Sequence, residues 1–145
     1  MDMYVKKTRD GARLPEYATD GSVGADLYAC LDAPIEIAPG ETTLLALGFA
    51  AAVPEGYAGL VFARSGLAAK RNLAPANKVG VVDPDYRGEW MVPLRNHGKT
   101  PQIIEPGERV AQLLIVPVSH AKFIEAENLG ETPRGEGGFG STGRI

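Results

Sequence analysis

A chain of 145 residues with a formal net charge of −3 is one domain, large enough to hide about two thirds of its unfolded surface. The acidic balance argues against a general nucleic-acid binder or a protein held on an anionic membrane, so a polyphosphate ligand must meet local positive charge or arrive with a metal. No apolar run approaches a membrane span and the start, Met1-Asp2-Met3-Tyr4-Val5-Lys6-Lys7, is not a signal peptide, so a cytoplasmic location is expected.

The 18 glycines and 11 prolines are spread as turn punctuation, which predicts many short strands. In chain order, strands are expected at residues 3–7, 25–29 and 35–37. Cys30, the single cysteine, follows the second of these among Tyr28, Ala29 and Leu31; it reads as a buried apolar residue and excludes an intrachain disulfide or a cysteine zinc site. Pro39-Gly40-Glu41 fits a type II turn, because proline fixes φ and glycine accepts φ > 0. It leads into an apolar run at residues 42–49. Pro54-Glu55-Gly56-Tyr57 is a second turn, entering a strand at residues 58–63. The one convincing helix is Ser65–Arg71, with Ser65 as N-cap and Lys70 and Arg71 at its C-terminal end. Strands at residues 79–82 and 89–94 flank Asp83-Pro84-Asp85-Tyr86-Arg87-Gly88, which reads as a hairpin connection. Residues 102–104 form another strand, and Pro106-Gly107-Glu108 repeats the Pro-Gly turn before a strand at residues 109–116. The sum is an all-β domain of about ten short strands, best read as a jelly roll or related barrel with one short helix.

Four regions carry candidate chemistry. Residues 134–145 hold five glycines, two arginines, two hydroxyls and Phe139, and no apolar period from which to build an element. Such a tail is either a solvated chain end or a ligand clamp: glycine amides and the hydroxyls of Ser141 and Thr142 on phosphate, an arginine fork, and Phe139 stacked on a base. In residues 77–90, Asp83 and Asp85 suit a turn, yet two carboxylates, Tyr86 and Arg87 crowd one tip. The arms could bind the edge of a base, Tyr86 could face a sugar, and an aspartate could orient and deprotonate a water. Arg64 at a strand end, before Ser65 and the first amides of the helix, is an anion site or a plain cap beside a solvated arginine. Asp26 lies in an apolar strand and needs a partner, either a neighbouring arginine or a hydrated metal. Gln112 interrupts the apolar run at residues 109–116; a satisfied structural glutamine is the default. His97 and His120 are too scattered to form a metal site or triad.

In this order the regions closely resemble the homotrimeric dUTP diphosphatases. The five motifs of that family correspond to Gly24-Ala25-Asp26-Leu27-Tyr28, to Arg64-Ser65-Gly66-Leu67, to Gly80-Val81-Val82-Asp83 through Tyr86-Arg87-Gly88, to Gly107-Glu108-Arg109-Val110-Ala111-Gln112, and to residues 134–143. The chain departs from the family pattern at Ala63, where proline is usual, and Trp90 is unusual after the third motif. The resemblance implies hydrolysis of dUTP to dUMP and pyrophosphate by water attack on the α-phosphorus, which keeps uracil out of DNA and supplies dUMP for thymidylate synthesis. It implies Asp83 as general base, Asn77 with the backbone of Gly80 and Val82 reading the uracil edge, and Tyr86 packing under the deoxyribose. Arg64, Ser65, Gly66 and Gln112 would hold the phosphates, and Asp26 would meet Mg²⁺ through water. Residues 1–133 would form the nucleotide-binding domain. Residues 134–145 would form a lid over a neighbouring subunit's site, with Phe139 and Gly140 at uracil and Arg134, Ser141 and Thr142 at the terminal phosphates. A C3 homotrimer with shared sites follows from the same resemblance. Two other classes fit parts of the pattern. Deamination of dCTP occurs on a related fold, but no glutamate stands in a matching motif. A protein that uses nucleotide occupancy to switch contacts with a protein partner would use the same motifs without requiring a carboxylate at position 83.

Overall fold

The two Pro-Gly-Glu turns set the corners of the structure. In the computed structural model, which describes residues 1–138, Gly40 and Gly107 take φ of +76° and +74°. Glu41 N donates to Ala38 O at 3.0 Å and Glu108 N to Glu105 O at 3.1 Å. Each glutamate also reaches back, Glu41 accepting from Ala38 N and Glu108 from Glu105 N, both at 3.0 Å. The sequence expectation for both turns holds, and each turn closes at both ends of its four residues.

These corners feed an all-β, jelly-roll-like arrangement in which every strand pair is antiparallel. The largest sheet has five strands in the order β2 (Glu16–Tyr17), β3 (Ala25–Tyr28), β12 (Arg109–Pro117), β7 (Tyr57–Phe62) and β9 (Gly80–Val82). Facing strands β5 (Thr42–Ala46), β10 (Met91–Asn96) and β8 (Leu73–Pro75) form a second sheet. Two ribbons complete the fold, β1 (Tyr4–Lys7) with β6 (Phe49–Ala52) and β4 (Ile35–Ile37) with β11 (Gln102–Ile104). The core lies between them and is filled by Leu27, Ile37, Leu45, Phe49, Leu94 and Ile104, all fully buried. Strand β10 shows the pleat: Val92, Leu94 and Asn96 point inward while Met91, Pro93 and Arg95 alternate with them. Asn96 is tolerated there because its amide donates to Ile37 O at 2.9 Å and Thr100 O at 2.8 Å and its oxygen accepts from Gly98 N.

The structure corrects the sequence reading in four places. The apolar run at residues 42–49 is two strands, because Gly48 takes φ of +73° and turns the chain. A Cβ there would lie 2.6 Å from Cys30 Sγ and 2.8 Å from Ala12 Cβ, so Gly48 is required by both conformation and space. The segment at residues 83–90 is not the loop of a paired hairpin. Strand β9 pairs with β7 and β10 with β5 and β8, since Trp90 N donates to Phe49 O at 2.8 Å and Leu47 N to Trp90 O at 3.0 Å, drawing the chain into the other sheet. Strands β2 and β8 escape a pattern search: β2 has two residues and β8 ends in Pro75. Helix α1 (Ser65–Arg71) is as expected, but its N-cap is Arg64, extended at φ −86° and ψ 129°, with no side-chain cap bond. Ser65 is the first helical residue. Asn72 closes the helix in the left-handed region, its N–H bonded to Leu67 O. Arg71 ties the last turn to Gln102 at 2.9 Å, to the Glu108 carboxylate and to the Ile103 carbonyl.

Candidate active site

Strand register gathers the first, second and fourth motifs into one polar cleft. Gln112 of β12 stands opposite Asp26 of β3 on one side and Phe62 of β7 on the other. Arg64, two residues past Phe62, therefore arrives beside Asp26. The Asp26 side chain is 10% exposed, and an unpaired charge at that depth is costly. It is satisfied twice, Oδ1 accepting from Arg64 Nε at 2.7 Å and Oδ2 from Arg109 Nη1 at 3.0 Å. The neighbouring-arginine alternative for Asp26 is the one observed, and the partners are two. Ser65 and Gly66 open onto the same cleft of about 370 Å³, with Ser22, Gly24 and Gln112. Gln112 Nε2 donates to Ala63 O at 2.9 Å, and a Cβ at Gly24 would lie 2.5 Å from Gln112 Oε1. Gln112 is thus a satisfied structural glutamine, and it still faces the cleft. Arg109 is the residue that the sequence reading left without a role. A basic residue heading the strand that carries Gln112 was the available signal; its meeting with Asp26 depends on a register shift between Arg109 and Ala111 that no local pattern shows.

The third motif lines a second, more apolar cleft of about 490 Å³. Asn77, Gly80, Val82, Asp83 and Tyr86 lie along it, against a wall that includes Leu47, Val61, Trp90 and Val92. Asp83 is exposed, and its carbonyl accepts from Tyr86 N at 3.2 Å. The Tyr86 hydroxyl donates to Glu89 O at 3.0 Å. Glu89 lines the cleft too, and its carboxyl is held below the usual range by the Arg9 guanidinium bonded to it, against the opposing effect of burial. The two clefts share no lining residue. Their chemistry is complementary: two arginines, one carboxylate and amide groups in one, and a mainly apolar lining with the carboxylates of Asp83 and Glu89 in the other. Arg134 lies in neither. It is exposed and donates to Gly137 O at 2.8 Å within its own turn. Phe139, Gly140, Ser141 and Thr142 lie outside the described residues. Among the described residues no three His, Cys, Asp or Glu side chains converge as metal ligands, and no helix is long and apolar enough to cross a membrane.

Residues 10–143 match the family model for dUTPase. The chain belongs to the dUTPase family. It is 49% identical over 145 residues to the deoxyuridine 5′-triphosphate nucleotidohydrolase of Burkholderia cenocepacia (strain HI2424), an alignment covering 99% of this chain and 98% of the relative. The solved Staphylococcus bacteriophage 80alpha dUTPase with dUPNHPP superposes with a TM-score of 0.90 at 28% identity, covering 98% of each chain. A variant dUTPase from phage phi11 of S. aureus, whose structure reveals the coordination of a structural Mg(II) ion, shares the fold at a TM-score of 0.82 and 22% identity over 90% of this chain and 100% of that one.

As a dUTPase-family enzyme, the chain accommodates its two departures from the family pattern without loss of a cleft group. At Ala63 the contact in use is the backbone carbonyl, which a proline would also present, and Arg64 is held on Asp26 at 2.7 Å regardless. Trp90 is 2% exposed and packs on Phe49 with ring centroids 5.4 Å apart at 40°. A Cβ at Gly59 would meet the indole at 3.2 Å, so a larger residue there would compete with the ring for space.

Proposed function

We propose that this dUTPase-family enzyme hydrolyses dUTP to dUMP and pyrophosphate, with the polar cleft taking the phosphate chain and the apolar cleft taking the nucleoside. The observation that carries the reading is the sorting itself. Residues far apart in sequence separate into a basic set suited to oxyanions and a slot suited to a base and sugar, and one exposed carboxylate stands at the slot. In the polar cleft, Arg64 and Arg109 outnumber Asp26 by one charge, and the first amides of α1 add donors. In the slot, Asn77 and the backbone of Gly80 and Val82 offer donors and acceptors to the uracil edge, and Tyr86 packs under the deoxyribose. Exclusion of a 2′-hydroxyl there rejects UTP by steric conflict and by leaving a polar group unpaired. Asp83 orients a water for in-line attack on the α-phosphorus and accepts its proton, a role worth about 10²–10⁴-fold in rate. The cellular consequences are removal of dUTP before uracil enters DNA and supply of dUMP for thymidylate synthesis.

The two clefts share no lining residue on one chain, an arrangement that suits a C3 homotrimer in which each site draws one cleft from each of two neighbours. Residues 134–145 of another copy would then close over it, bringing Arg134, Phe139, Gly140, Ser141 and Thr142 to the nucleotide. The donor set fits Mg²⁺ only through water. Asp26 is the one carboxylate in the polar cleft and both its oxygens already accept from arginine, but a carboxylate has lone pairs left for a metal-bound water. A cation that keeps several waters and arrives with the nucleotide suits that set. When bound it supplies neutralisation of phosphate charge, which an acidic protein needs.

The reaction is tested by incubating the purified chain with Mg²⁺ and, separately, dUTP, dCTP, UTP and dTTP, and resolving products by ion-exchange chromatography. dUMP and pyrophosphate from dUTP alone is the expected result. Deaminated product from dCTP, or every nucleotide returned intact, overturns the reading.

A further inference from the structure

The N-terminal strand ends in a contact that the family motifs do not include. The β1–β6 ladder runs to Lys7, paired with Phe49, and Thr8 N donates to Gly48 O at 2.8 Å, so the backbone at Thr8 is fixed. From there two side chains cross to Glu89. Thr8 Oγ1 donates to Glu89 Oε1 at 2.8 Å, Arg9 Nε to the same oxygen at 2.7 Å and Arg9 Nη2 to Oε2 at 2.8 Å. Glu89 keeps 16% of its side chain exposed, and the next residue, Trp90, is pinned by both its backbone groups to the β5–β6 corner. The residue at position 89 is therefore held by its side chain on one side and by its neighbour on the other.

What it holds in turn is Tyr86. This ring is 46% exposed and sits in the segment between β9 and β10, which has no ladder of its own. Its hydroxyl is bonded to the Glu89 carbonyl at 3.0 Å. The ring also lies directly over Gly88, where a Cβ would come within 2.4 Å of the hydroxyl and 2.6 Å of Cζ. An exposed aromatic ring on an unpaired loop can exchange between staggered rotamers unless its far end is also held. Here the far end depends on one peptide group, Glu89–Trp90, whose N–H is tied to Phe49 O at 2.8 Å and whose Glu89 side is braced by the fork from Arg9 on the carboxylate.

We infer that Arg9, acting through Glu89, is a positioning residue for Tyr86 and sets how strictly this enzyme discriminates deoxyribose from ribose. The inference rests on the packing of Tyr86 under the sugar proposed above. Discrimination by exclusion needs a wall that does not yield, and a displacement of about 1 Å is enough to change rates substantially. The planar fork matters as much as the charge, since two parallel N–H···O bonds fix an orientation that a lysine ammonium does not. Arg9 is half exposed at 49%, and pairs of this kind contribute little to global stability. The expected signature is therefore a change in selectivity without a matching loss of fold.

The experiment measures kcat/KM for dUTP and UTP in the unaltered chain, Arg9→Ala, Arg9→Lys, Glu89→Gln, the Arg9→Ala/Glu89→Gln double variant and Tyr86→Ala. Because both substrates are assayed on one preparation, any inactive fraction cancels from the ratio, and a general structural loss lowers both specificities together. The dUTP/UTP ratio is expected to fall roughly three- to tenfold in Arg9→Ala, within the range seen for coupled residues of one hydrogen-bond network. Arg9→Lys should fall between Arg9→Ala and the unaltered chain, and the double variant should fall no further than Glu89→Gln alone. A ratio unchanged in Arg9→Ala but reduced in Tyr86→Ala overturns the positioning role and leaves Tyr86 in place. A ratio unchanged in both removes Tyr86 from the sugar site, and the inference with it.

Discussion

Replacing Asp26 by asparagine isolates the pairing at the floor of the polar cleft. The substitution is isosteric, but it removes the charge and turns an NH₂ group toward one of two arginines, so that Arg64 and Arg109 share one remaining acceptor. Breaking a fully buried pair from one side costs about 3–5 kcal/mol. The Arg64 side chain is 23% exposed and that of Arg109 49%, so the Arg109 half counts at the surface value, at most about 1 kcal/mol. The Arg64 half lies between these limits, and the sum is about 2–3 kcal/mol. For a chain of this size that is a fall in Tm of roughly 5–10 °C, read by circular dichroism at fixed protein concentration. Binding of a non-hydrolysable dUTP analogue should weaken in the same variant, and by the same factor with and without Mg²⁺, because the loss comes from two arginines no longer held in place. A Tm within about 2 °C of the unaltered chain refutes the account of Asp26 as the anchor of this cleft. A binding defect that vanishes when Mg²⁺ is omitted moves its role to the metal.

Asp83→Asn should bind the dUTP analogue nearly as well as the unaltered chain and lose about 10²–10⁴-fold in kcat; unchanged turnover would falsify its assignment as the base. Gly48→Ala combines a positive φ with a collision at Cys30 and Ala12, and should lower the free energy of urea unfolding by about 1–3 kcal/mol, whereas Gly66→Ala, where a Cβ meets nothing within 4 Å, should not reproduce that loss. The Glu89 carboxyl is held low by the Arg9 hydrogen bond, so its contribution to stability is complete above the ordinary glutamate value and disappears as pH falls through the lower folded value. The stability gap between the unaltered chain and Glu89→Gln should accordingly close on acidification, and a gap that persists or widens in acid contradicts the pairing.

Features that depend on one residue's backbone were legible in the sequence. Pro39-Gly40-Glu41 and Pro106-Gly107-Glu108 announce their turns because glycine readily accepts the positive φ they need, and the apolar run after the second of them announces β12. Gly48 was not legible, since it sits in an unbroken apolar run and the reason for its turn lies in Cys30 and Ala12 beneath it. The supposed hairpin at residues 83–88 looked local, yet its arms are claimed by strands from other parts of the chain, β7 on one side and β5 on the other. Candidate groups of the site were found by type, but their pairing was not. Asp26 and Arg109 are 83 positions apart and Arg9 and Glu89 are 80 apart; such meetings follow from sheet register, which is fixed only when the whole core packs. Serine favours the helix cap, yet Arg64 holds that position instead, because the backbone stays extended through Arg64 and turns helical only at Ser65.

Trp90 is the chain's single tryptophan, and it stands in the wall of the apolar cleft, shielded from solvent. Light absorbed at the red edge of the protein spectrum therefore addresses one indole in one known environment. A buried indole emits to the blue of a hydrated one, so unfolding registers as a red shift, while a ligand entering the apolar cleft, as proposed for the base, would alter emission with the chain intact. Titrations and rapid-mixing traces can be recorded on the unlabelled protein, each photon reporting from the wall of that cleft.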